Sequence, residues 1–238
     1  MPRPVSEDTL IAPCTDLIML CTISSPTPRP DNSVTESRIE KPGRNRNSSN
    51  SKTSLARGRT LTAVVTHLEM RERPQRFPAV PAGPQLALLK CKAMPLHYYR
   101  YLYDRVGRQW HWTAALTLAD ADLAERLASD RTHIQVLYLD GAPAGFFELR
   151  LLSKEECRLV HFGLMSHAIG RGLGRWFLGS AIRAAWEHGP EMVSVETCSL
   201  DHPAALSLYQ KLGFVPVWRK EESVSELTPE ARATVLLR

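Results

Sequence analysis

Gly170-Arg171-Gly172-Leu173-Gly174 follows an apolar run that ends at Leu164. It leads into Leu173, Phe177, Ala181 and Ala184, apolar residues at the spacing of one helix face. The pattern predicts a strand over 157–164, a glycine turn, and a helix over 173–186 that Gly189-Pro190 stops. Glycines in such a turn let the backbone bend and approach a ligand closely. Amides at the helix start face an anion, the helix dipole adds partial positive charge, and successive amides form a nest. A pyrophosphate suits that geometry, with Arg171 and Arg175 adding charge at the rim. The spacing is not that of a dinucleotide fingerprint, and the Lys-Ser/Thr of a P-loop is absent.

Upstream, an Asp140-Gly141 turn joins strands over 133–139 and 144–152, a strong hairpin signal. Helices are predicted over 96–106 and 118–129; Asp120 and Asp122 suit the start of the second. A first strand covers 61–70, and Pro74, Pro78, Pro81 and Pro84 make 71–85 a loop. Downstream come a strand over 192–198, a helix over 203–212 and a strand over 214–219. The tail, 227–237, suits a strand or a helix. The order is strand, helices, three antiparallel strands, helix, strand, helix, strand. That is a mixed α/β (α+β) fold with a central, mostly antiparallel sheet flanked by helices.

The helix over 203–212 begins a second motif, His202-Pro203-Ala204-Ala205-Leu206-Ser207-Leu208-Tyr209-Gln210-Lys211-Leu212-Gly213-Phe214, roughly thirty residues beyond the glycine turn. Together the two resemble the GCN5-related N-acetyltransferase (GNAT) superfamily, over about residues 61–220. That family carries a Q/R-x-x-G-x-G/A pyrophosphate loop after its fourth strand and an N-x-x-A-x-x-x-Y-x-x-x-G-F stretch after its fifth. Ile169 stands where the family usually has Gln or Arg, and His202 where it usually has Asn. The first departure leaves the phosphate grip mainly to backbone. The second keeps a side chain that can cap the helix or touch the ligand.

The resemblance implies acetyl-CoA as acyl donor, bound by Leu164, Met165, Ile169, Gly170, Arg171, Gly172, Leu173, Gly174, Arg175 and His202. It implies an amine-bearing small molecule or peptide as acceptor, acetylated by direct attack. Tyr209 matches the family tyrosine that protonates the departing thiolate; packing in the core is its other reading. Backbone at 162–165 would pair with pantetheine and stabilise the oxyanion. Amine attack needs a lone pair, so a general base helps. Glu196, His161 and Glu148 are candidates, and ordered water is a further option. His97-Tyr98-Tyr99-Arg100-Tyr101 and Trp110-His111-Trp112 suit either an acceptor wall or core packing, and Asp104, Glu148 and Glu196 are carboxylates that could hold a cationic amine. An acyl-CoA-binding sensor or scaffold without turnover is the alternative reading.

Residues 24–59 are rich in Ser, Pro, Asn and Arg and poor in large apolar groups, so 1–59 are expected to form a disordered extension and 60–238 the folded domain. The net charge of +5 is modest, and no nucleic-acid-reading motif accompanies it. No apolar run reaches the ~18 residues of a membrane span. The five cysteines are odd in number and lack C-x-x-C spacing, which suits a reducing compartment, the cytoplasm, and no metal site. The oligomeric state stays open, a homodimer included.

Overall fold

The computed structural model of the chain describes residues 57–238. The expected extension therefore falls, through residue 56, outside the described residues. Strand β1 (Arg57–Met70) begins four residues ahead of the strand expected over 61–70.

Six more strands follow: β2 (Leu86–Cys91), β3 (Thr132–Leu139), β4 (Ala142–Leu151), β5 (Glu156–Leu164), β6 (Met192–Cys198) and β7 (Val215–Leu227). The helices are α1 (Leu96–Gly107), α2 (Ala114–Thr117), α3 (Asp120–Ala128), α4 (Gly174–Trp186), α5 (Ala205–Lys211) and α6 (Pro229–Leu236). One sheet holds all seven strands in the order β2-β3-β4-β5-β6-β1-β7. Only β5 and β6 run parallel; every other pair is antiparallel.

Helices cover both faces, so β4 and β5 are buried along most of their length and read as nearly continuous apolar runs. On one face, Phe177, Leu178, Ala181 and Ile182 of α4 and Leu208 and Tyr209 of α5 pack on Phe147, Leu159, Phe162, Leu164 and Val195. On the other, Tyr99, Leu102 and Tyr103 of α1, Leu116, Leu123 and Val235 pack on Ile134, Val136 and Phe146.

Strands β1 and β2 are consecutive in the chain but lie in opposite halves of the sheet. The proline-broken segment between them must travel from one half to the other. It crosses α4 on the way: Phe77 packs against that helix's core, and the Arg183 guanidinium lies 4.7 Å from the centre of its ring. Strand β1 then inserts between β6 and β7, pairing His67 with Glu196 on one side and with Trp218 on the other.

Some expectations change. The helix expected over 118–129 is shorter: Leu118 and Ala119 are extended, so it starts at Asp120 as α3, and a separate short helix, α2, precedes it. Strand β2 joins the sheet where no element was expected, and β7 runs to Leu227 rather than to residue 219. The tail resolves as helix α6, which Thr228 caps by accepting the Ala231 N–H at 3.2 Å, with Pro229 in its first turn.

Candidate functional site

The glycine turn is built as its sequence implies. Gly170 and Gly172 take φ of 77° and 76°, a conformation most side chains resist, and both are exposed. Helix α4 starts at once behind them, and no side chain caps it. Its leading amides are therefore available to an anion. Arg175 is exposed at the rim, while Arg171 reaches across to the Asp140 carboxylate at 3.7 Å. The Ile169 side chain is partly buried against the core and offers no polar group to a ligand. Leu173 is wholly buried and anchors the turn. Pro78, Ala79 and Pro81 of the crossing segment line a cavity of about 410 Å³ together with Gly172, Arg175 and Trp176. Sequence reasoning left that segment as a plain loop; its carriage across α4 depends on where β1 pairs.

Beside the turn the sheet forks. Strands β5 and β6 pair only over residues 156–159 and 192–195. Beyond that, β5 stays with β4 as far as Leu164, and β6 stays with β1 as far as Cys198. The Met165 N–H donates to the Ala144 carbonyl at 2.8 Å. Leu164 and Gly145 are thus a non-hydrogen-bonded antiparallel pair, and Leu164 turns its own N–H and C=O away from β4, into the fork. Phe162, two residues back, shares that orientation. Of the two residues expected nearest the thioester, Leu164 offers its amide to the fork, whereas that of Met165 is engaged.

Trp112 spans the fork. The backbone reaches it through a 3-10 turn after α1 and through His111 at φ 59°. Gly107 makes room, since a Cβ there would lie 2.3 Å from the Trp112 side chain. The indole ring packs 5.2 Å from His161 of β5 and, on its other side, lies beside the Asp201 carboxyl in the turn after β6. Asp201 Oδ2 accepts the Thr197 hydroxyl at 2.7 Å and the Cys198 N–H at 2.8 Å. Its Oδ1 is buried with no partner, as are Trp112 Nε1 and the Tyr209 hydroxyl. The indole N–H is close enough to lower the Asp201 pKa, but without closing to a full hydrogen bond. Burial outweighs that and the Cys198 and Thr197 bonds, and pushes the carboxyl up to about 7. Burial, and then the Asp201 charge, hold Tyr209 well above the usual phenol range, so it is a proton-bearing hydroxyl.

The sequence-derived base candidates are already engaged. Glu148 is completely buried. Its Oε1 accepts from Arg126 (3.0 Å) and Arg150 (3.1 Å), its Oε2 from Tyr99 (2.7 Å) and His161 Nδ1 (2.9 Å). Burial raises its pKa, but Arg126, His161 and Arg150 together hold it well below the ordinary value. Glu196 faces His67 Nδ1 at 3.3 Å and Arg158 at 3.6 Å. Burial again pushes upward, and His67, Arg158 and Lys220 bring the net below the ordinary value. His202 Nδ1 accepts the Ala204 N–H at 3.1 Å, so it caps the turn into α5, and burial lowers its pKa.

The aromatic runs are largely internal. Tyr99, Arg100 and Trp112 are buried, Tyr98 shares a hydroxyl contact with Tyr138 at 2.9 Å, and Trp110 meets the His202 ring edge-on at 5.3 Å. His111 pairs with Glu226 at 2.8 Å, which pins this connector onto β7. His97 and Tyr101, with Asp104, line a separate cavity of about 380 Å³. The three carboxylates considered for a cationic amine do not converge. Asp104 holds Arg108 and Arg232, Glu148 its own arginines, and Glu196 the His67 cluster.

An anion cradle, a fork with inward amides and a buried hydroxyl-bearing tyrosine are what a thioester of a phosphate-bearing carrier requires. Residues 97–214 match the family model described as Acetyltransferase (GNAT) family. No protein of curated function matches the chain. Among solved structures, a conserved protein of unknown function from Staphylococcus epidermidis is 14% identical, covering 71% of this chain and 63% of its own, with a TM-score of 0.49. A tandem GNAT protein from the clavulanic acid biosynthesis pathway is 19% identical, covering 68% and 53%, with a TM-score of 0.48. The aminoglycoside N-acetyltransferase AAC(6')-Iy, solved with CoA, is 21% identical, covering 60% and 99%, with a TM-score of 0.40. The chain thus spans less than two thirds of the first two. The domain over residues 97–214, running from α1 through the fork to the residue before β7, places this chain in the acetyltransferase (GNAT) family.

Proposed function

We propose that the protein transfers an acetyl group from acetyl-CoA to an amine on a small molecule or peptide. The observation that carries this is the Tyr209 hydroxyl: buried, protonated and without a partner, on the helix that follows β6 beside the fork. The amides of Gly170, Gly172 and the α4 start would hold the pyrophosphate, with Arg175 at the rim. Acetyl-CoA supplies an activated acyl group and a thiol leaving group. The backbone of Phe162 and Leu164 would pair with the extended arm, and the Leu164 N–H would meet the carbonyl oxygen as charge develops on it. Tyr209 would protonate the departing sulfur. Cys91, Cys157 and Cys198 form no disulfide, which supports a reducing, cytoplasmic setting. No described helix is long and apolar enough to cross a membrane.

The test is release of free thiol from acetyl-CoA in the presence of an aminoglycoside, short diamines and a lysine peptide. Tyr209→Phe should lower kcat by about 100-fold while calorimetric affinity for acetyl-CoA stays unchanged. Binding without turnover across the panel would replace the transferase reading with that of an acyl-CoA sensor.

A further inference from the structure

Six buried side-chain polar atoms among the described residues lack a hydrogen-bond partner, and three of them belong to electrostatic neighbours beside the fork: the Trp112 indole acts on the Asp201 carboxyl, and the Asp201 charge acts on the Tyr209 hydroxyl. Buried polar groups are nearly always satisfied, and leaving one unpaired costs about 1–3 kcal/mol. A cluster of three marks a place kept for something else. The turn after β6 does not explain it. Asp201 Oδ2 alone accepts the Thr197 hydroxyl and the Cys198 N–H, and an asparagine carbonyl oxygen would accept both without burying an ionisable group. The second carboxyl oxygen is fixed in direction by those bonds and makes no hydrogen bond of its own.

We propose that Asp201 is the general base of the reaction, and that Asp201 and Tyr209 form a closed relay that carries the proton from the amine to the departing sulfur. This rests on the acetyl-transfer reading above. The amine nitrogen bonds to the thioester carbon, and the C–S bond breaks. Asp201 Oδ1 takes the proton that the nitrogen sheds, and Tyr209 gives its hydroxyl proton to the thiolate. Asp201 then returns its proton to the Tyr209 phenolate, and both residues are reset. One proton leaves nitrogen, one reaches sulfur, and none is exchanged with solvent.

The groups facing Asp201 suit this task. The β6 end contributes the Thr197 hydroxyl and the Cys198 amide; α5 contributes Tyr209; and the connector before α2 contributes the Trp112 indole. The neighbouring His202 turns its Nδ1 to Ala204 and its ring to Trp110. No cation is among the partners of Asp201 in the described residues. Glu196 and Glu148, by contrast, are bound to cations and held low, which makes them weak bases. A carboxyl pushed up to about 7 is ionised in part at neutral pH and retains enough basicity to take a proton from an amine under attack.

The experiment compares the full chain with Asp201→Asn and Asp201→Glu. Thiol release with the same amine panel is followed from pH 5.5 to 9, acetyl-CoA affinity by calorimetry, and the Asp201 carboxyl by carbon-13 NMR titration with acetyl-CoA bound. The expected result is a kcat lower by about 100-fold or more in Asp201→Asn, loss of the limb that rises through neutral pH, unchanged affinity, and partial recovery in Asp201→Glu. A wild-type rate or an unaltered pH profile in Asp201→Asn overturns the assignment. So does a carboxyl that titrates below pH 5, and that outcome is readable even if no amine in the panel is turned over. Failure of the wild-type chain to bind acetyl-CoA would instead overturn the transferase reading.

Discussion

At Asp201 the folded chain holds a proton more tightly than the unfolded chain does, because burial raises the carboxyl from an ordinary 3.8 to about 7. Between those values the native state carries more protons than the unfolded one, so stability falls as pH rises through that window. Asp201→Asn keeps the acceptor for Thr197 and Cys198 and removes the ionisation. It should therefore match the wild type near pH 4 and exceed it by a few kcal/mol at pH 8, read by urea unfolding at both values. A residue whose removal stabilises the fold while slowing the reaction is retained for chemistry, not packing. Tyr209 stood out in the sequence as a candidate through its spacing from Gly213-Phe214. Asp201 did not. The sequence places a carboxylate before a helix, where acids are common, and its burial beside the indole of Trp112, distant in the chain, arises only in the fold.

At the scale of elements, β4 and β5 are held in register by more than apolar burial. Glu148 and His161 face one another across the pair, and Arg126 of α3 and Tyr99 of α1 join the same carboxylate. Glu148→Gln would leave Arg126 and Arg150 buried or half-buried beside a neutral amide. It should cost roughly 3 kcal/mol, measured as a lowered urea midpoint at pH 7. Because the folded Glu148 pKa lies below the unfolded one, the wild-type advantage is present above the unfolded value and shrinks as pH falls. Elements with one strongly buried face were readable: β6 spans the expected 192–198, and α4 differs from expectation by one residue. The second half of β7 was not, because Arg219-Lys220-Glu221-Glu222-Ser223 sits on an outer strand with water on much of its surface and so shows no apolar alternation. Strand β2 is the opposite outer strand, six residues long and partly exposed, and failed to stand out for the same reason.

For the whole molecule, the decisive fact is that β1 is interior. It bonds to β6 over six residue pairs and to β7 over eleven, so it is the sole link between β7 and the rest of the sheet. A chain starting after Met70 would expose the β6 edge, unpair β7 and remove Leu68 and Met70 from the core. It should lose cooperative thermal unfolding by circular dichroism and aggregate, whereas removal of an ordinary edge strand would be milder. The sequence announced β1 as a strand through Val64 and Val65 but carried no mark of its neighbours, since pairing between distant segments leaves no local pattern.

The same insertion sets an order of events during folding. The His67–Glu196 contact joins residues 129 apart in the chain, and β7 pairs with β1 across a still longer loop. Local hairpins such as β3–β4 can close early, but β1 must wait for β6 and β7, with its backbone donors and acceptors unmatched. On a ribosome, the chain through β7 would have to emerge before β1 could settle. The half of the sheet made of β6, β1 and β7 is thus the last to assemble, and the surroundings of Asp201 and Tyr209 come into being only once β7 has been made.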